Sequence, residues 1–306
     1  MSSTSTLRAL TPQQWRAAER EHLERVRPYT EPLRERRSRG QKHPVEDFLF
    51  SYYSLSPGHL ERWHPGAGTV LLGEEAVAER GGAKHYAVLD DAGGPGVPGV
   101  AVDVAAFARD RASMVGFAGA ILAGTASRPG TFACFGLHEW AMAYRSEQHG
   151  VRHEQLPLRL GSDGTDQVVQ SHNIRCTHFD AFRFYAPEAA PLNELQPTRA
   201  TQRDLEQPGC LHANMDLYKW AYKLQPLVSS ELVMDCFELA WRVRLMDMKA
   251  SPYDLTEWGH EPIRIETAEG KAQYVAAQRG FAEEAAVLRS RLLDVLRDHH
   301  LLEEDA

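Results

Sequence analysis

Hydrophobic positions along this chain recur mostly at helical spacing. Thr11-Pro12 opens the first such stretch, since Thr is a good N-cap and Pro a good first helical residue. The pattern predicts a long, charged helix from Gln13 to about Arg39, interrupted at Pro28 and Pro32. His43-Pro44 starts a second helix, Val45 to Ser54, and Ser56-Pro57 caps a short third one. Further helices are expected from Asp103 to about Ala126, Gly136 to Tyr144, His212 to Lys223, and Gly270 to about His299. The best marked runs from Ser229-Ser230 to Ser251-Pro252. Its Leu232, Val233, Cys236, Phe237, Ala240, Val243 and Met246 share one apolar side.

Residues 66–100 read differently. Thr69 to Leu72 and His85 to Leu89 are strand-like, separated and followed by Gly-rich turns at Gly81-Gly82 and Gly93-Gly-Pro-Gly96. They predict a small sheet or an exposed excursion. Gly161 to Asp166 reads as a turn, and residues 187–207 as a loop. Within residues 168–185 strand and helix both stay open, although Asn173 to His178 looks extended. The fold class is mainly α with a minor β element at about 66–100, in a single globular domain of 306 residues.

Composition narrows the function classes. The longest uncharged stretch, Ala112 to Ser127, falls short of the roughly 18 apolar residues a membrane span needs and reads as a buried core helix. The polar N-terminus is unlike a signal peptide, and four cysteines are too few to staple a fold of this size. Reduced thiols in a cytoplasmic protein, with no membrane partner, are the expectation. A net charge of −8 does not advertise nucleic-acid binding. Charge is uneven, however: residues 1–45 hold ten Lys/Arg against five Asp/Glu, so residues 1–42 form a basic helical region. The run from Arg34 to Lys42 suits phosphate contact, or simply a solvated helix end.

Two segments concentrate the candidate chemistry. In His172-Asn-Ile-Arg-Cys176-Thr-His178-Phe-Asp180, an extended chain places Cys176, His178 and Asp180 on one face. In Cys210-Leu-His212-Ala-Asn214-Met-Asp216-Leu-Tyr218-Lys219-Trp220, a helix places His212 and Asp216 on one face with Lys219 one turn on. Several readings are open. His172, His178 and His212 with an aspartate suit a divalent metal such as zinc, iron or manganese. Two Cys and two His suit structural zinc, though Cys-x-His twice is not a usual ligand spacing. Without a metal, Asp180 or Asp216 suits a general base or electrostatic stabiliser tuned by Lys219 or a histidine. The nearby Phe182, Tyr185, Tyr218 and Trp220 suit either a stacking pocket for a flat substrate or plain core. Glu139 beside His138, with Trp140 next to it, is a weaker candidate, because helix neighbours diverge by about 100°. The signatures of nucleoside-triphosphate, dinucleotide, zincin and nucleophile-elbow sites are absent.

One set of longer motifs goes further. HPVEDFLFSYY (43–53), RWHPG (62–66), CFGLHEWAMAYR (134–145), LPLRLG (156–161), SHNIRCTHFDAFRFY (171–185), EQPGCLHANMDLYKWAYKL (206–224) and ASPYDL (250–255) together span most of the chain. As a set they resemble an actinobacterial-type family labelled 3-methyladenine DNA glycosylase. The resemblance implies base excision from damaged DNA: a modified nucleobase is flipped out, stacked between aromatics and cut from its sugar with help from a carboxylate. The Leu-Pro-Gly-[IV]-Gly hairpin of helix–hairpin–helix glycosylases is missing, so no catalytic residue carries over from them. The alternatives are a His/carboxylate metalloenzyme for a small molecule and a non-catalytic binding protein.

Overall fold

In the computed structural model, which describes residues 7–302, strand β1 (Arg8–Leu10) turns at once into helix α1 (Pro12–Ser38). Thr11 and Gln14 close a capping box, each side chain accepting from the other's backbone N–H. Pro28 and Pro32 do not interrupt α1. Both lie on its exposed side, while Val26, Thr30 and Leu33 are buried opposite them, so packing carries the helix across two missing amide donors.

Two short helices follow, α2 (Phe48–Tyr52) and α3 (Pro57–Leu60). The first is shorter than its apolar run predicts because residues 44–47 form turns, where the Asp47 carboxylate accepts from the His43 N–H and from Arg36. The chain then makes β2 (Thr69–Leu72), α4 (Glu74–Arg80), β3 (Tyr86–Leu89) and β4 (Gly99–Val102). The sheet order is β1-β2-β4-β3, with β1 parallel to β2 and the other pairs antiparallel. The expected small sheet is therefore present, and it is packed rather than an exposed excursion: Trp15, Trp63, Leu71 and Ala76 form a buried cluster against it. Strand β4 escaped the pattern because all four of its residues are buried, which removes the alternation of a half-buried strand.

The rest is helical: α5 (Val104–Ser127), α6 (Leu137–Met142), α7 (Ser146–His149), α8 (Gly161–Ser171), α9 (Phe179–Phe182) and α10 (Gln202–Leu205) surround three long elements. Helix α5 is buried on one side only, through Val115, Ala118, Ile121 and Leu122, and its other side is open. Residues 161–166 are helix rather than turn. Thr165, Val168 and Val169 bury at i, i+3 and i+4, and this packing overrides the Gly- and Asp-rich local signal.

The three long elements at the centre are α11 (Leu211–Lys223), α12 (Ser230–Ala250) and α13 (Ala268–Asp298). Helix α11 packs against both of the others. Phe237 of α12 sits edge-on to Tyr29 and Tyr218, with ring centres 5.0 and 5.1 Å away. Arg244 and Asp247 fall on the buried side of α12 and lie in the interior. One apolar cluster runs from Val26 of α1 to Leu296 of α13. No described helix is long and apolar enough to cross a membrane.

Candidate functional site

Helix α11 presents His212, Asp216 and Lys219 along one side, as their spacing predicts. Asp216 is buried and accepts three hydrogen bonds: from the Tyr53 hydroxyl at 2.9 Å, from His178 Nε2 at 3.3 Å and from the Lys219 ammonium. His178 Nε2 also lies 3.4 Å from Glu206 Oε1, and Glu206 in turn accepts from the Gln202 amide at 2.6 Å. Burial works against a charged Asp216, but Lys219 and His178 outweigh it and hold the carboxyl far below the usual carboxylate range. Burial pushes Glu206 the other way, so two adjacent carboxyls are driven apart.

A second cluster adjoins the first. His138 of α6 and Asp247 of α12 meet with Nε2 and Oδ2 3.0 Å apart, both buried. The His212 ring stands edge-on to His138 at 4.4 Å and stacks on His178 at 5.3 Å. The three imidazoles thus form a row with a carboxylate at each end. Burial opposes charging of His138, yet Asp247 raises it well above its ordinary value; His212, buried and then repelled by His138, is held well below. Among the described residues, His138, His212 and Asp247 form one group of donor atoms close enough to hold a metal ion, and His178, Glu206 and Asp216 form another; within each, the atoms lie no more than 4.8 Å apart.

An open cleft of about 750 Å³ lies beside these clusters. Its lining includes six cationic side chains, Arg37, Lys42, Arg152, Arg183, Lys219 and Lys223, against two carboxylates, Asp47 and Asp180. Five aromatic rings line it as well: Phe48, Tyr52, Tyr53, Phe184 and Tyr222. Arg152 and Arg183 sit over the Phe184 ring at 4.1 and 4.2 Å. Burial and then the nearby Lys219 lower Lys223 from its ordinary value. A small hollow behind the cleft is lined by Glu139, His153, Asp180, His212 and Arg244, so within the row of three imidazoles His212 is the one that opens toward the cleft.

The fold brings His178, Asp180, His212, Asp216 and Lys219 together. Asp180 lies on α9 rather than on an extended chain, and its carboxylate is 3.0 Å from Arg183 Nε and 4.0 Å from Lys219 Nζ. Other candidates lie elsewhere. His172 is in neither donor group; its Nδ1 sits 2.7 Å from the Val168 carbonyl at the end of α8. Glu139 is buried in an ion pair with Arg244 at 2.8 Å, although it lines the hollow. Trp140 donates to the Ala250 carbonyl at 2.9 Å in the core. Tyr218 packs among Tyr53, Tyr222 and Phe237, Trp220 against Phe117, and Tyr185 against Phe182. None of these five rings, Trp140 included, lines the cleft. The rings that line it are Phe48, Tyr52, Tyr53, Phe184 and Tyr222 instead. Neither donor group contains a cysteine, although Cys134, Cys176 and Cys210 line a small cavity together with His138 and His212.

Residues that the sequence reading passed over complete the site. Asp247 carries a legible signal: it falls seven residues after Ala240 and four after Val243, a lone acid on the apolar side of α12. Glu206 and Tyr53 reach the site from irregular chain and have no periodicity to mark them. Of the basic N-terminal run, Arg34 and Arg36 are spent on Glu61 and Asp47, both at 2.6 Å, whereas Arg37 and Lys42 line the cleft. No known protein family, curated protein or solved structure was found to match this chain.

Proposed function

We propose that this protein is a hydrolase that cleaves the N-glycosidic bond of a modified purine, with the cleft as the site that takes the base and its flanking phosphates. The observation that carries this reading is the cleft itself, where six cations and five aromatic rings share the lining with Asp180 in a chain of net charge −8. Phosphates are bound by Lys and Arg, and flat bases by aromatic faces, so this lining suits a nucleotide unit within a strand. The volume is that of an ordinary small-ligand site. The motif set that resembles the glycosylase-labelled family adds independent support.

The chemistry asked of the chain is modest. Breaking the bond leaves positive charge on the sugar, and water adds to the anomeric carbon. The Asp180 carboxylate, flanked by Arg183 and Lys219, is placed to stabilise that charge and to accept the proton the water loses. An alkylated purine already carries positive charge and departs as the neutral free base. Release of free base from alkylated DNA tests the reading. Asp180→Asn is expected to lower kcat by about 100-fold or more, while Phe184→Ala is expected to act mainly on KM. No base release, together with no salt-sensitive DNA binding, sinks it.

A second reading, a metal-dependent enzyme using zinc, iron or manganese, is supported by the two buried His/carboxylate donor groups. In that case His212 links an ion to the cleft. Elemental analysis of the purified protein separates the two readings: a metal-free sample that takes up none of the three ions removes the second.

A further inference from the structure

We infer that His138, His212 and Asp247 form a site for one divalent transition-metal ion, and that the neighbouring His178–Glu206–Asp216 group is not a metal site. This rests on the metal-dependent reading and decides where such an ion sits.

The two groups look alike as inventories of donors, but their environments differ. Asp216 already has a cation against it, the Lys219 ammonium, along with hydrogen bonds from Tyr53 and His178. Glu206 is held by Gln202. An ion entering there would meet an ammonium at contact distance, in an interior that screens charge poorly. Lys219 has taken the place a metal would have. Among the described residues no ammonium or guanidinium pairs with Asp247. Its Oδ2 faces His138 Nε2 at 3.0 Å, and its Oδ1 is fully buried without a hydrogen-bond partner among the described residues. An orphaned carboxylate oxygen in the interior is costly, and a bound cation would satisfy it.

The geometry around Asp247 suits a small ion. Ligands on a tetrahedron of about 2.0 Å radius stand roughly 3.3 Å from one another, close to the 3.0 Å between Oδ2 and Nε2. His212 has its donor within 4.8 Å of both and needs only a small side-chain shift to close the site. The other ring nitrogen of His138, Nδ1, lies 3.6 Å from Cys134 Sγ, which suits the outer hydrogen bond that orients a ligating histidine. His138 and His212, though not Asp247, also line an adjoining cavity of about 10 Å³ with Cys134, Cys176, Cys210 and Tyr274, room for one water-sized guest beside the two imidazoles. Two imidazoles and one carboxylate select zinc, iron(II) or manganese(II) over calcium or magnesium, and three protein ligands leave coordination positions for water.

The test uses the full chain, stripped with a chelator and titrated with zinc. Calorimetry and elemental analysis are expected to show one ion per chain, and zinc is expected to raise Tm. His212→Gln, a half-buried position suited to substitution, is expected to weaken uptake by more than about 100-fold and to abolish the Tm rise. Glu206→Gln is expected to leave both unchanged. No uptake by the wild type overturns the metal-dependent reading as a whole. Uptake lost in Glu206→Gln but kept in His212→Gln, or two ions per chain, leaves that reading standing and overturns this assignment. Anomalous scattering from a zinc-loaded wild-type crystal places the ion without any variant: a peak between His138 and Asp247 agrees, and one beside Asp216 does not.

Discussion

Asp216 shows how one residue can organise a site without being exposed to substrate. Three donors converge on it, one of them the charged Lys219, so its removal strands an ammonium in the interior. Asp216→Asn is therefore expected to cost about 3 kcal/mol in urea unfolding; a loss below about 1 kcal/mol contradicts the network described. His153 gives a pH prediction. Burial and then Arg244 lower it to about 4, and its Nε2 sits 3.4 Å from the Arg244 guanidinium, as a neutral acceptor should. The unfolded chain binds a proton there at about 6.5, so the contribution to stability is complete above pH 6.5 and is lost as pH falls toward 4. His153→Gln keeps an acceptor and removes the titration. Its stability should fall less steeply than the wild type's across that window, and an unchanged slope contradicts the assignment. At this scale the sequence was partly legible. Spacing alone grouped His212, Asp216 and Lys219, because a helix face is a local property. Asp247, Glu206 and Tyr53 join them only through tertiary packing. The aromatic candidates depend on packing in the same way: Tyr218 and Trp220 of α11, and Tyr185 just beyond α9, are buried in the core rather than set on the cleft.

Among the elements, α11 matters most, and its position depends on the glycine before it. A Cβ on Gly209 would lie 2.3 Å from the Thr131 carbonyl oxygen. The Gly209 carbonyl also accepts from Gln278 of α13 at 2.6 Å, and its N–H donates to Gln207 Oε1 at 2.7 Å. Gly209→Ala must therefore push the start of α11 away from residue 131. We expect a loss of about 1–3 kcal/mol, seen as a lower Tm, with zinc uptake and base release falling together because His212 is three residues on. A variant as stable as the wild type would mean that the start of α11 is not pinned there. The long helices were readable because their caps are local: Thr11, Ser229 and Thr267 each accept from a backbone N–H within the first turn. Strand β4 and helix α8 were not, since the first is buried on both faces and the second begins in residues that locally favour turns. The continuity of α1 through Pro28 and Pro32 was hidden for a related reason, as its buried side is set by partners far along the chain.

Across the whole molecule the telling feature is the mismatch between a net charge of −8 and a cleft with six cations and two carboxylates. Composition alone argued against a polyanionic ligand; the distribution of charge argues for one, because a cleft of one sign concentrates counter-charged ligands whatever the total. Lys42→Glu and Lys223→Glu lie at the cleft, away from the buried clusters. They should leave Tm unchanged while weakening DNA binding and flattening its dependence on salt; binding as tight as the wild type's would place the DNA elsewhere. The most direct test of the central claim is release of free base from alkylated DNA by the wild-type chain, followed at low and at high ionic strength. The cleft described here predicts release that falls steeply with salt, as the phosphate contacts are screened. Absence of release at both ionic strengths, or release indifferent to salt, contradicts it.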